Sequence, residues 1–257
     1  MAEKVNLLIN ISFALSLAAL AAAAAVYLFR ERVPRRLLPG LLGAAWLALT
    51  AALALLWARL GRPPLSNQYE SLLTMLWFVA PLSLYYYRRF PVPEALWPAA
   101  FASPVILGVA SLLDRTARPL MPALRSDWLI FHVLSSMAAY AAFALAAVAG
   151  AAALARRRCA EDEELLLRLT KAGFAALTLG IASGSVWAET AWGSWWSWDP
   201  KETWSLLTWL AYAAALHLRR QGWRAHKFAI MLMACFALVL FTYFGVNFLL
   251  SGMHSYA

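Results

Sequence analysis

"WLIFHVLSSMAAYAAFALAAVAGAAALARRR", residues 128–158, decides the fold of this chain. From Trp128 to Ala155 it is apolar apart from serines, one tyrosine and one histidine, and it then stops at Arg156, Arg157 and Arg158. About 20 apolar residues suffice to cross the hydrocarbon as helix, where every backbone polar group must be satisfied internally. The run is long enough, and the arginines mark one end of it as facing a polar phase.

Working outward, the same ruler finds seven more runs: 5–29, 38–58, 69–87, 92–113, 165–187, 201–218 and 227–250. Of 257 residues 63% are hydrophobic and 14% charged, against about 25% charged in a soluble domain. No stretch between the runs is long enough for a separate soluble domain. The expected fold is therefore all-α: an integral membrane protein, a polytopic bundle of about eight transmembrane helices over residues 1–257. The run 92–113 carries Pro98 and Pro104, so a kinked or partly re-entrant helix is expected there. The run 5–29 is too long for a signal-peptide core and its basic cluster follows it, so it reads as a retained helix.

The formal charge of +9 is a topology signal rather than a nucleic-acid footprint, because the basic residues cluster at alternate ends of the runs. The positive-inside rule places Arg30, Arg32, Arg35, Arg36, Arg88, Arg89, Arg156–Arg158, Arg219, Arg220, Arg224 and Lys227 on the cytoplasmic face. Lys4, Arg59, Arg62, Arg115, Arg118, Arg125 and Lys201 fall on the other. Both termini are then expected to be extracytoplasmic, together with the segment 188–204. Cys159 and Cys235 form no C-x-x-C and read as buried or incidental thiols. In the sixth run Gly180 and Gly184 share a helix face, a spacing that lets backbones approach closely in lipid.

The external segment contains "WGSWWSWDPKETW", residues 192–204. Trp gathers at membrane interfaces because its ring is apolar while its N–H seeks water. That accounts for scattered cases such as Trp57, Trp97 and Trp128, but not easily for Trp187, Trp192, Trp195, Trp196, Trp198, Trp204 and Trp209 together. Asp199, Pro200 and Glu202 fit an acidic capping box at the mouth of the seventh helix. Beside that helix start, the aromatic shelf suits a large, flat, apolar ligand with an anionic edge. Helix N–H groups or Lys201 would meet the charge.

The histidines sort by depth. His132 lies about one turn inside the outer end of the fifth run, and His254 just beyond the outer end of the eighth. Both are expected at the level of the tryptophan segment, where two neutral imidazoles would make an axial pair for haem iron. Two unrelated interfacial histidines are the alternative. His217, seventeen residues beyond Pro200, lies about 25 Å away along its helix, near the cytoplasmic edge. It is a functional candidate as an ionisable residue in a span, or an ordinary helix-end residue beside Arg219 and Arg220. His226 sits in a basic cytoplasmic loop and reads as solvated surface.

"NQYESLLTMLWF", "DWLIFHVLSSMAAYAAFALA", "WGSWWSWDPKETWSLLTWLAYAAALHLR" and "FTYFGVNFLLSGMHSY" resemble the CcsA family, the polytopic subunit of the cytochrome c synthetase. The tryptophan-rich segment is similar to the WWD signature of haem-handling membrane proteins. The resemblance implies haem b as substrate and ligand, with His132 and His254 as external axial ligands. It implies that Trp192, Trp195, Trp196, Trp198, Asp199 and Trp204 form the WWD binding segment. It implies that His217 belongs to an inner haem site whose other ligand comes from a CcsB-like partner. Apocytochrome c with a C-x-x-C-H motif would be the second substrate, attached through thioethers, and the bacterial plasma membrane the expected location. No catalytic residue is separate from the haem site. The alternatives are a haem exporter or chaperone without attachment activity, a b-type electron-transfer cytochrome, and a non-haem structural subunit.

Overall fold

The computed structural model describes residues 1–28, 34, 36–89, 93–116, 119–250 and 252–253. Eight helices emerge in the expected order: α1 Ala2–Leu28, α2 Leu37–Leu60, α3 Gln68–Arg89 and α4 Trp97–Ser111, then α5 Asp127–Ala155, α6 Glu163–Trp192, α7 Pro200–Arg220 and α8 Ala225–Leu249. No strand occurs among the described residues. Five of them, α1, α2, α5, α6 and α8, are both long and apolar enough to cross a membrane. The chain is a multi-pass helical membrane protein.

The helices group into two compact units, Met1–Ala117 and Arg118–Ala257. In the first, α3 is central: Tyr69 through Leu76 are buried without a break, so no face of its first two turns is left to solvent or lipid. Burial on all sides explains how Glu70 is tolerated there at 3% exposure. Its carboxylate takes both Arg62 guanidinium nitrogens, at 2.9 and 3.2 Å, and the Ser66 N–H at 2.9 Å. The run 92–113 is realised as a 3-10 turn, Pro93–Leu96, and a helix of 15 residues. At 1.5 Å per residue that helix is about 22 Å long, short of the roughly 30 Å hydrocarbon core. Its first turn admits Pro98, where the missing N–H has no helical partner to lose.

The second unit is built around α5. In the apolar part of this helix 72% of residues are buried, against 33% in α6 and α8. Alanine dominates that stretch and lets both neighbours approach. The α5–α6 contact is antiparallel and its register is set by three glycines of α6. A Cβ added at Gly173 would lie 2.6 Å from the Phe143 ring; at Gly180 it would lie 2.6 Å from Ser136 Oγ; at Gly184 it would lie 2.5 Å from His132 Nδ1. The Gly180–Gly184 spacing thus packs helices as expected, and Gly173 extends the same face. On the far side, Thr208 and Thr242 hydroxyls meet at 3.1 Å between α7 and α8. Chain direction alternates, so the start of α5, the end of α6, the start of α7 and the end of α8 share one end of this unit. Cys159 and Cys235 are both buried free thiols.

Candidate haem-handling site

That shared end holds the tryptophan segment. Helix α6 stops at Gly193, whose φ of +73° provides the left-handed turn most residues avoid, and whose N–H bonds the Glu189 carbonyl at 2.9 Å. Seven residues later Pro200 opens α7. The capping box expected there is formed: Asp199 Oδ2 accepts from the Lys201 N–H at 3.1 Å, and Glu202 Oε2 accepts from the Asp199 N–H at 3.1 Å.

Glu202 does more than cap. The same oxygen takes the Ser197 N–H at 2.8 Å and the Ser197 hydroxyl at 3.2 Å. Between the two backbone N–H groups it grips lies Trp198, at φ +58°, a conformation costly for a bulky side chain. The grip holds the Trp198 ring outward, 68% exposed, edge-on to Trp196 at 5.7 Å. Trp195 is also exposed, at 56%. These rings are not buried as an ordinary core would require; they are presented.

His132 stands one layer below. Its Nδ1 is 2.7 Å from the Gly180 carbonyl oxygen. A carbonyl can only accept, so Nδ1 carries the proton and, in the neutral ring, Nε2 keeps its lone pair. That is the state an imidazole needs to ligate iron, with its orientation fixed by a hydrogen bond from the other ring nitrogen. The ring stacks on Trp187 at 5.9 Å and 18°. Trp187 is 2% exposed and donates from Nε1 to the Ala123 carbonyl at 2.8 Å. Trp192 packs edge-on against Trp187 at 4.7 Å. A continuous aromatic path therefore runs from His132 to the loop.

Trp204 belongs to another wall. It faces Phe241 of α8 at 4.3 Å, where a π-helical turn, Phe241–Gly245, interrupts the α-helix. Lys201 Nζ donates to Asn247 Oδ1 at 2.7 Å, tying the start of α7 to the end of α8. Among the described residues Lys201 has no ion-pair partner. His254 lies outside the described residues. The chain just before it does not: the Met253 N–H donates to Asp199 Oδ1 at 2.6 Å.

His217 occupies the opposite end of α7, exposed, with Gln221 Nε2 at 2.9 Å from its Nε2. Ion pairs of Arg156 with Asp162 and of Arg219 with Glu163 lie at that same end. Sequence reasoning missed Trp187 as the wall behind His132, Asn247 as the partner of Lys201, and Gly184 as the floor beneath the imidazole. Gly184 left a trace in its spacing with Gly180, and Trp187 in the crowding of tryptophans, but neither showed its contact with His132.

Fold and site define a multi-pass helical membrane protein carrying a presented tryptophan loop beside a fixed imidazole. Residues 65–254 match the cytochrome C assembly protein family. The chain belongs to that family and, within it, to CcsA. It is 36% identical over 294 residues to the cytochrome c biogenesis protein CcsA of Synechococcus sp. (strain CC9311), covering 95% of each chain. To the CcsA of Prochlorococcus marinus (strain NATL1A) it is 38% identical over 256 residues, covering 82% of this chain and 81% of the relative. The solved structure of the cytochrome c heme lyase CcmF superposes with a TM-score of 0.73 over 94% of this chain, at 23% identity. The chain spans 46% of that protein's length, and the likeness is one of fold.

Proposed function

We propose that this chain is the haem-handling membrane subunit of a cytochrome c synthetase. It brings haem to an external site, where His132 and His254 ligate the iron and Trp192, Trp195, Trp196, Trp198 and Trp204 support the macrocycle. Apocytochrome c then offers its C-x-x-C-H segment, each thiol adding S–H across one haem vinyl group to give a thioether. The reacting groups belong to the two substrates; the protein contributes placement and control of the iron's ligands. His217, at the other end of α7, serves an inner site completed by a CcsB-like membrane partner. The charge distribution of the loops supports an orientation with both termini and the tryptophan loop outside, and the bacterial plasma membrane is the proposed location.

The observation that carries this reading is the His132 hydrogen bond to the Gly180 carbonyl beside the tryptophan loop. An unrelated interfacial histidine would turn its ring to water; this one is held through Nδ1, which leaves Nε2 as the nitrogen placed to ligate. The test is purification of wild-type protein and His132→Ala with the partner chain present. The variant should lose most of its Soret absorbance and regain part of it with added imidazole. A variant that binds haem with an unchanged spectrum overturns the assignment. Adding apocytochrome separates a synthetase, which yields covalent haem, from an exporter, which does not.

A further inference from the structure

We infer that Asp199 is a positioning residue that latches the end of the chain to the start of α7, with Gly252 as the obligate small residue beneath the latch. The inference rests on the proposed function for its consequence, but on described residues for its geometry. The Asp199 carboxylate is 7% exposed and its two oxygens are divided. Oδ2 caps α7 through the Lys201 N–H, whereas Oδ1 accepts from the Met253 N–H at 2.6 Å, 54 residues away in sequence. Capping alone needs only one oxygen.

The second contact has a steric requirement. A Cβ at residue 252 would fall 2.5 Å from Asp199 Oδ1, 3.2 Å from its Cγ and 3.1 Å from Pro200 Cδ. Pro200 is a rigid ring in the first turn of α7 and cannot give way, so a side chain at 252 must lift the strand off the carboxylate. Residue 254 is joined to 253 by one peptide bond, about 3.8 Å between Cα atoms. Holding the 253 N–H therefore fixes the last described residue before His254 against the start of α7. Asp199 acts on haem through that histidine, not by touching the ring.

Two variants separate latch from cap. Asp199→Ser keeps a good N-cap oxygen but is one atom too short to hold both N–H groups. Gly252→Ala leaves Asp199 and its cap intact. In haem-free protein, hydrogen exchange at the Met253 amide should be slow in the wild type. It should speed up about tenfold or more in both variants, as expected for loss of a charge-assisted bond, with the Thr203 amide of α7 unchanged. Both variants should also lose Soret absorbance several-fold and regain it with imidazole, as His254→Ala does. Asp199→Asn, which has one acceptor oxygen and an N–H donor in place of the other, cannot accept from both N–H groups and should also fall below wild type. Fast exchange at Met253 in the wild type overturns the latch. So does an Asp199→Ser protein that holds haem normally while His254→Ala loses it. If His254→Ala itself changes nothing, the haem-ligand reading fails, and the exchange rates still decide the latch.

Discussion

Replacing Gly184 by alanine tests how closely the proposed haem site depends on helix packing. The new Cβ would stand 2.5 Å from His132 Nδ1 and 2.8 Å from Cε1. Nothing in a folded protein tolerates 2.5 Å, so either the imidazole swings away or α5 and α6 separate. If the ring swings, it loses the 2.7 Å bond to the Gly180 carbonyl, worth about 0.5–1.5 kcal/mol net. If the helices separate, overpacking costs about 1–3 kcal/mol. At a factor of ten in affinity per roughly 1.4 kcal/mol, haem binding weakens about two- to tenfold by the first route and about five- to 150-fold by the second. Alanine is also the better helix former, by about 1 kcal/mol, which offsets part of the loss in overall stability. Thermal melting is therefore the wrong assay, and titration of haem followed at the Soret band is the right one. Gly173→Ala is the control. It forces the same two helices apart against Phe143, about 16 Å along α6 from Gly184. It should alter stability and leave haem affinity alone. The reasoning is refuted if Gly184→Ala binds haem as the wild type does, or if Gly173→Ala weakens binding equally.

Two further outcomes are expected. Glu70→Gln should destabilise the first unit by about 3 kcal/mol, because it strands the Arg62 guanidinium at 14% exposure without its carboxylate; a detergent melt shows it, and an unchanged midpoint rejects it. His217→Ala, with the partner chain present, should slow filling of the outer site without altering its spectrum, and imidazole should not help; normal filling kinetics would remove His217 from the route.

Helix limits were legible because the bilayer sets a length and charged or turn residues stop each run. The span read as 128–155 is Asp127–Ala155, and that read as 38–58 is Leu37–Leu60. The capping box was legible because all of its bonds lie within four residues of chain. What could not be read depends on register between helices. Asp199 meets the Met253 N–H only because α7 and α8 run antiparallel, which brings the start of one level with the end of the other. The π-helical turn at Phe241–Gly245 is equally silent in sequence, yet it is where Phe241 comes against Trp204. Trp198 looked like one aromatic among several; its left-handed backbone needs the Glu202 carboxylate on both sides, and no local propensity signals that.

The glycine face of α6 shows why separating packing residues from functional ones fails in this protein. In a membrane the lipid chains are as apolar as the helix surfaces, so close backbone approach must supply much of the attraction. Gly180 and Gly184 supply it against α5. The same absence of side chains uncovers the Gly180 carbonyl, which a larger residue one turn on would shield. A second lone pair on that oxygen can then take a proton from a neighbouring helix while the helical bond persists. His132 is the residue in register, and its Nδ1–H bond at 2.7 Å selects the tautomer that leaves Nε2 basic. Two glycines thus set helix spacing, imidazole orientation and proton position at once. A substitution that restores spacing with a different small residue, Gly184→Ser for instance, would still crowd the ring and would not restore the ligand.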